Sequence, residues 1–290
     1  MRFLKRSLVA IPLIVLSWMF FFKQPHKPQI YDCFPFFNEL ELLEVRLSEM
    51  YDHVDKFVIL EAAETYRGKP KPLHFAKNRQ LFEKYADKII HVVIPGHSKH
   101  TRTWNREHFQ RQQLMRGLKK CHKNDIIFLS DLDEIVKASR IQEIARMLTS
   151  KEVDAVVCEQ KMYMGHLNRY VTEWNGTVCT SYENFKRIPI RKMREVRHIK
   201  PRTLQKLDLP KVIQMKDAGW HFTSMGGFER YKLKLESYSH EKMDKPEIKK
   251  EKLFADNILS IPLVEIDDSY PRSIRENQAH LKQIGFIATE

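Results

Sequence analysis

Short apolar runs bounded by polar residues recur through the first half of the chain. They alternate with segments whose apolar positions return every three or four residues. Ile30 to Phe34, Phe57-Val58-Ile59-Leu60, Ile89 to Ile94 and Ile126-Ile127-Phe128-Leu129 read as buried strands, because a strand covered on both faces needs no polar alternation. Between them, Leu40, Leu43, Leu47 and Met50 mark a helix over Asn38 to Tyr51, and Asn105 to Lys120 reads as a polar helix. Farther on, Ser139 with Gln142 predicts a capping box, Ile141, Ile144 and Leu148 the buried face of its helix, and Val153 to Cys158 the next strand. This alternation predicts an α/β fold, a mostly parallel central sheet flanked by helices and joined by right-handed crossovers.

The first residues follow a different pattern. Arg2, Lys5 and Arg6 precede an uncharged, mostly apolar stretch from Ser7 to Phe22, and Lys23 follows it. Its bulky end lacks the small residues of a cleavage site, so the reading is an uncleaved anchor helix. It is short against the ~20 residues that match a bilayer core, but flanking Lys and Arg snorkel. The expected organisation is a cytoplasmic tip and signal-anchor over residues 1–22, a linker over 23–30 and one catalytic domain over 31–290. That makes a single-pass type II membrane protein touching lipid through residues 7–22, in a Golgi-type or bacterial inner membrane. The 50 Lys+Arg against 37 Asp+Glu leave +13, which suits an anionic surface or a phosphorylated substrate. With an anchor and no recognisable nucleic-acid motif, nucleic acid is not an expected partner. Cys33, Cys121, Cys158 and Cys179 lie far apart with no Cys-x-x-Cys pair, so two disulfides are allowed and none is required.

The chemistry concentrates where Ile126 to Leu129 runs into Ser130-Asp131-Leu132-Asp133-Glu134. Ligands of open α/β sheets gather at the carboxyl ends of strands, and alternation sends Asp131 and Asp133 to one side. Two hard oxygen donors in an Asp-x-Asp pattern suit Mg²⁺ or Mn²⁺, the other ligands coming from water and a substrate phosphate. The bland alternative is a solvated turn. Glu61 likewise ends an apolar strand and reads either as a loop carboxylate or as an acceptor for a base or ribose. Arg111 forms an i,i+4 pair with Glu107 or anchors a diphosphate. His221, between Trp220 and Phe222, is either a core histidine or the third ligand of the metal. The run of basic residues from Lys186 to Arg202 reads as a solvated face or as a meeting place for an anionic partner.

Four segments in this order resemble glycosyltransferase family 17: Asp32-Cys33-Phe34-Pro35-Phe36-Phe37-Asn38-Glu39 with Leu42, Leu43 and Arg46; Phe57 to Glu61 with Thr65 and Gly68; Ile127 to Ile135; and Gly219-Trp220-His221-Phe222. The resemblance implies a GT-A type, inverting nucleotide-sugar transferase. It implies a Mn²⁺ or Mg²⁺ cofactor held by Asp131, Asp133 and His221, a UDP-sugar donor with UDP-GlcNAc favoured, and a glycan or glycoconjugate acceptor. The short chain suggests a bacterial or viral relative. Glu61, Arg111, Asp131 and Asp133 would bind the donor. A single inverting displacement also needs a carboxylate base, for which Glu134, Glu173 and Asp217 all remain open. The competing readings are a carbohydrate-binding protein with a decayed transferase site and a metal-dependent phosphoesterase.

Overall fold

A computed structural model describes residues 26–96 and 102–289. The predicted anchor lies outside them, and among the described residues no helix is long and apolar enough to cross a membrane. Among the described residues eight strands build one sheet: β1 (Ile30–Phe36), β2 (Lys56–Ala62), β3 (Ile89–Ile94), β4 (Ile126–Leu129), β5 (Glu134–Val136), β6 (Ala155–Met164), β7 (Tyr170–Ser181) and β8 (Val212–Thr223), in the order β3-β2-β1-β4-β7-β6-β8-β5. The helices are α1 (Leu40–Met50), α2 (His74–Lys77), α3 (Thr103–Gln112), α4 (Ala138–Thr149), α5 (Tyr182–Arg187), α6 (Ile190–Glu195), α7 (Pro201–Lys206), α8 (Gly227–Ser237), α9 (Glu251–Leu259), α10 (Arg272–Glu276) and α11 (Gln278–Gln283).

The mostly parallel sheet expected from the sequence is only half right. From β3 to β4 the strands run parallel, but β7 is antiparallel to both β4 and β6, and β5 is antiparallel to β8. The cause is connection length: only a few residues separate β6 from β7, too few for the crossover that a parallel neighbour needs.

The continuous apolar runs reflect burial on both faces. Phe34, Phe57, Ile59, Ile126 and Phe128 face one hydrophobic cluster, whereas Cys33, Val58, Leu60, Ile127 and Leu129 face the other. The polar helix expected to Lys120 ends sooner, at Gln112, and continues as a 3-10 turn over Gln113–Leu118. That turn lies directly on the sheet: a Cβ at Gly117 would sit 2.4 Å from Val58 Cγ1. The capping box at Ser139 is also a correction. The cap position of α4 is Lys137, which makes no side-chain cap, and the free Ala138 N–H is taken instead by Glu49 Oε1 of α1 at 2.9 Å. A tertiary contact thus does what the local motif was expected to do.

Candidate functional site

The segment after β4 is built around a buried arginine. Arg46 of α1 is fully buried. It reaches Asp32 through Nε (2.7 Å) and Nη2 (2.6 Å). Its Nη2 also donates to Ser130 Oγ at 2.6 Å, while Nη1 faces the carbonyl oxygens of Asp131 (2.9 Å), Leu132 (3.0 Å) and Glu134 (2.8 Å). The guanidinium is stacked 4.2 Å from the Phe34 ring centroid. One planar fork therefore neutralises a buried carboxylate and fixes the backbone that carries the three acids. Next in the chain, β5 pairs with β8 in the register Glu134↔His221, which brings the acid segment against Trp220-His221-Phe222. The strands approach closely at Gly219, where a Cβ would lie 2.0 Å from Ile135 O.

Asp131, Asp133 and Glu134 border a cleft of about 570 Å³. Asp131 is gripped by Arg111 Nη1 at 2.6 Å and Arg194 Nη2 at 2.7 Å. Burial alone would push its carboxyl up, but the two arginines more than offset this and hold it well below the usual carboxylate range. Asp133 faces Lys234 Nζ at 3.2 Å and His221 Nε2 at 3.6 Å. It too is held well below its ordinary value, burial being outweighed by Lys234 and His221. Glu134 accepts the Asp131 N–H at 2.8 Å and Trp174 Nε1–H at 2.9 Å, with Arg197 Nη1 3.6 Å away.

Arg111 makes the i,i+4 pair expected from the sequence, its Nε donating to Glu107 Oε1 at 2.8 Å, and its Nη1 turns to Asp131 at the cleft. Of the three candidate bases only Glu134 borders the cleft. Glu173 takes the Tyr170 hydroxyl at 3.0 Å beside a neighbouring depression. Asp217 stands apart, in a left-handed conformation (φ 48°) at the irregularity of β8, paired with Lys137 Nζ at 2.5 Å. Glu61 departs from the nucleoside-binding expectation. Alternation along β2 turns Leu60 and Ala62 to the cleft, and the buried Glu61 carboxylate caps α2 by accepting Phe75 N–H (2.8 Å) and Ala76 N–H (3.2 Å), with His91 Nε2 at 3.1 Å.

Several residues of the site were not singled out from the sequence. Arg194 and Arg197 belong to the basic run, and Arg191 lines the same cleft; their spacing of three along α6 and the following turn was the available signal. Arg187 of that run serves structure, donating to the carbonyls of Leu207 (2.7 Å) and Asp208 (2.8 Å). Trp174, Lys234, Lys71 and Glu39 also line the cleft, and burial, only partly offset by Lys234, raises the Glu39 carboxyl. Among the described residues no three His, Cys, Asp or Glu side chains converge as a ready metal cage. Asp133 and His221 approach each other, while both Asp131 oxygens face arginines.

Residues 16–260 match the family model for glycosyltransferase family 17. Human and rat β-1,4-mannosyl-glycoprotein 4-β-N-acetylglucosaminyltransferases are each 31% identical over 108 residues, a stretch that takes in 34% of this chain and only 20% of those proteins. Among solved structures, the mannosyltransferase PcManGT of Pyrobaculum calidifontis, in complex with GDP-Man and Mn²⁺, overlays 81% of this chain and 70% of its own at 14% identity and TM-score 0.46. TarS 1-349 of S. aureus overlays 89% and 70% at 13% identity and TM-score 0.43. With the family model spanning most of its length, the chain belongs to glycosyltransferase family 17.

Proposed function

We propose that this protein is a GT-A type, inverting glycosyltransferase that moves a sugar, GlcNAc from UDP-GlcNAc in the first instance, to a hydroxyl of a glycan or glycoconjugate. The observation that carries the reading is the acid pair Asp131 and Asp133 at the end of β4, inside a cleft that also presents Arg111, Arg194, Arg197, Lys71 and Lys234. A nucleoside diphosphate needs such a set of cations, and the volume of about 570 Å³ lies in the usual range for small-molecule sites. The name of the mammalian relatives supports GlcNAc as the donor sugar and makes β-1,4-linked manno-oligosaccharides the first acceptors to try.

The donor set fits Mn²⁺ or Mg²⁺ in part. Asp133 and His221 are adjacent, and an ion of this class usually keeps water and phosphate ligands as well. Asp133 and His221 would hold it, with Asp131 in reserve behind its arginines. When bound, the ion would neutralise charge developing on the departing diphosphate. The arginines of the cleft serve the same end from the protein side, as fixed donors in a partly dry site. Glu134 is the base we assign, because it alone of the three candidates borders the cleft. Trp174 and the Asp131 amide orient its carboxylate, leaving lone pairs for the acceptor hydroxyl's proton. Attachment to a Golgi-type or bacterial inner membrane through residues 7–22 completes the proposal.

The test is calorimetric titration of the full chain in detergent with UDP-GlcNAc, first with Mn²⁺ and then with EDTA. Binding that weakens on chelation is the expected result. Heat from neither UDP-GlcNAc nor GDP-mannose, with metal present, would overturn the donor assignment.

A further inference from the structure

Beside the main cleft lies a second depression, of about 400 Å³, bounded by Glu159, Glu173, Trp174, Asn175, Arg197, His198 and Gln214. Trp174, Arg197 and His198 line both hollows, so the two meet along the indole. We infer that the second depression is a subsite for a further sugar unit of a neutral acceptor oligosaccharide, an inference that rests on the transferase reading above.

Its floor is a rigid piece of sheet. Asn175 of β7 lies opposite Glu159 of β6 in register, and Gln214 of β8 donates through Nε2 to Glu159 Oε2 (2.7 Å) and to Asn175 Oδ1 (2.8 Å). Asn175 Nδ2 in turn donates to Arg197 O at 3.1 Å. Three adjacent strands thus present planar amides and a carboxylate in a connected row that is fixed before any ligand arrives, an arrangement that suits vicinal hydroxyls.

Trp174, half-buried where the two hollows meet, supplies an apolar edge for the C–H side of a pyranose. Its ring is held in place from several directions, by the hydrogen bond to Glu134, by Arg197 5.2 Å from the ring centroid and by the His221 ring at 5.1 Å. A sugar against that edge would place the adjacent unit beside Glu134, which Trp174 Nε1 contacts. The carboxylates of Glu159 and Glu173 outnumber Arg197, whose guanidinium faces Glu134 at 3.6 Å, so the depression disfavours anionic glycans and suits a neutral chain.

The experiment titrates the full-length protein with β-1,4-manno-oligosaccharides and chito-oligosaccharides of one to four units, with UDP-GlcNAc titrated in parallel. In the wild type, adding one sugar beyond the minimal unit should tighten binding about tenfold, as one or two new hydrogen bonds and an apolar contact would give. Gln214→Ala and Glu159→Ala should abolish that step while UDP-GlcNAc affinity holds, which also shows that the variants are folded. Affinity independent of chain length in both series, or a length step that survives in both variants, would overturn the inference even with donor binding intact. A length step lost in variants that keep wild-type affinity for the minimal unit, in a protein that binds no nucleotide sugar, would keep the subsite and remove the transferase reading alone.

Discussion

The two halves of the sheet divide the work of the site. The parallel half, β3-β2-β1-β4, leads from β4 into Asp131 and Asp133, and α1 sends Arg46 beneath them to fix Asp131, Leu132 and Glu134, where β5 begins, by their carbonyls. The half containing β7, β6, β8 and β5, with the helices around it, supplies what faces those acids: Trp174 from β7, Arg194 from α6, Arg197 after it, His221 from β8 and Lys234 from α8. Neither half is a site alone. Without the second half the acids would keep only Arg111 as counter-charge, and the cations without the acids would bind any anion.

The sharpest way to break this division is to remove its anchor. Arg46→Ala leaves Asp32 buried without its partner and frees three carbonyls, so it should cost about 3–5 kcal/mol of stability, the usual penalty for opening a buried pair. Urea unfolding measures it, and a loss under about 1 kcal/mol would mean that water replaces the guanidinium at little cost. The next effect belongs to Asp133, which alone touches groups of the second half that could share a metal. Asp133→Asn should lower turnover by about 10²–10³, the scale seen when one electrostatic element of a reaction site is removed, and should weaken dependence on Mn²⁺. Near wild-type, metal-stimulated turnover would move the metal elsewhere.

The same division explains what the sequence disclosed. In the parallel half, β2 and β4 carry unbroken apolar runs because both their faces are covered, and β1 and the edge strand β3 are interrupted only by Asp32 and His91, so these strands and the acids after β2 and β4 could be read directly. Glu61 shows the limit: its place at a strand end was legible, but whether its carboxylate faced the cleft depended on strand parity and on α2 arriving to be capped. In the second half, β7 and β8 carry mixed polar and apolar residues over 12 residues each, since one side of the sheet stays partly open there. Their pairing with β4, β5 and β6 could not be inferred from periodicity. Arg194 was visible only as one charge in a basic run, because what distinguishes it from Arg187 is the Asp131 carboxylate, 63 positions away in the chain.

Arg194 and Arg111 sharpen the comparison, since they hold opposite oxygens of Asp131 from opposite halves. If both share the donor diphosphate, Arg194→Ala and Arg111→Ala should each weaken UDP binding about tenfold or more, as expected for loss of a charge-assisted hydrogen bond. Calorimetry at fixed Mn²⁺ reads this. An effect confined to Arg111→Ala would restrict the diphosphate to the parallel half and leave Arg194 only as the counter-charge of Asp131.

The smallest effect is expected at Glu39, where the sign is opposite to that of the aspartates. Burial raises its carboxyl, with Lys234 offsetting only part, so folding favours the protonated form. The penalty is absent below the unfolded-state value and is fully present once the pH has risen past the raised folded value. Glu39→Gln should therefore raise Tm at pH 7 and leave it nearly unchanged at low pH, whereas Asp131→Asn and Asp133→Asn should lower Tm at pH 7, because their depressed values stabilise the fold until strong acid protonates them. A Glu39→Gln protein that is more stable yet slower in transfer would show that this acid is retained for the reaction at a cost to the fold. Equal Tm at both pH values would mean that Lys234 neutralises it fully, and Glu39 would then join Asp131 and Asp133 as an acid matched by a cation of the other half.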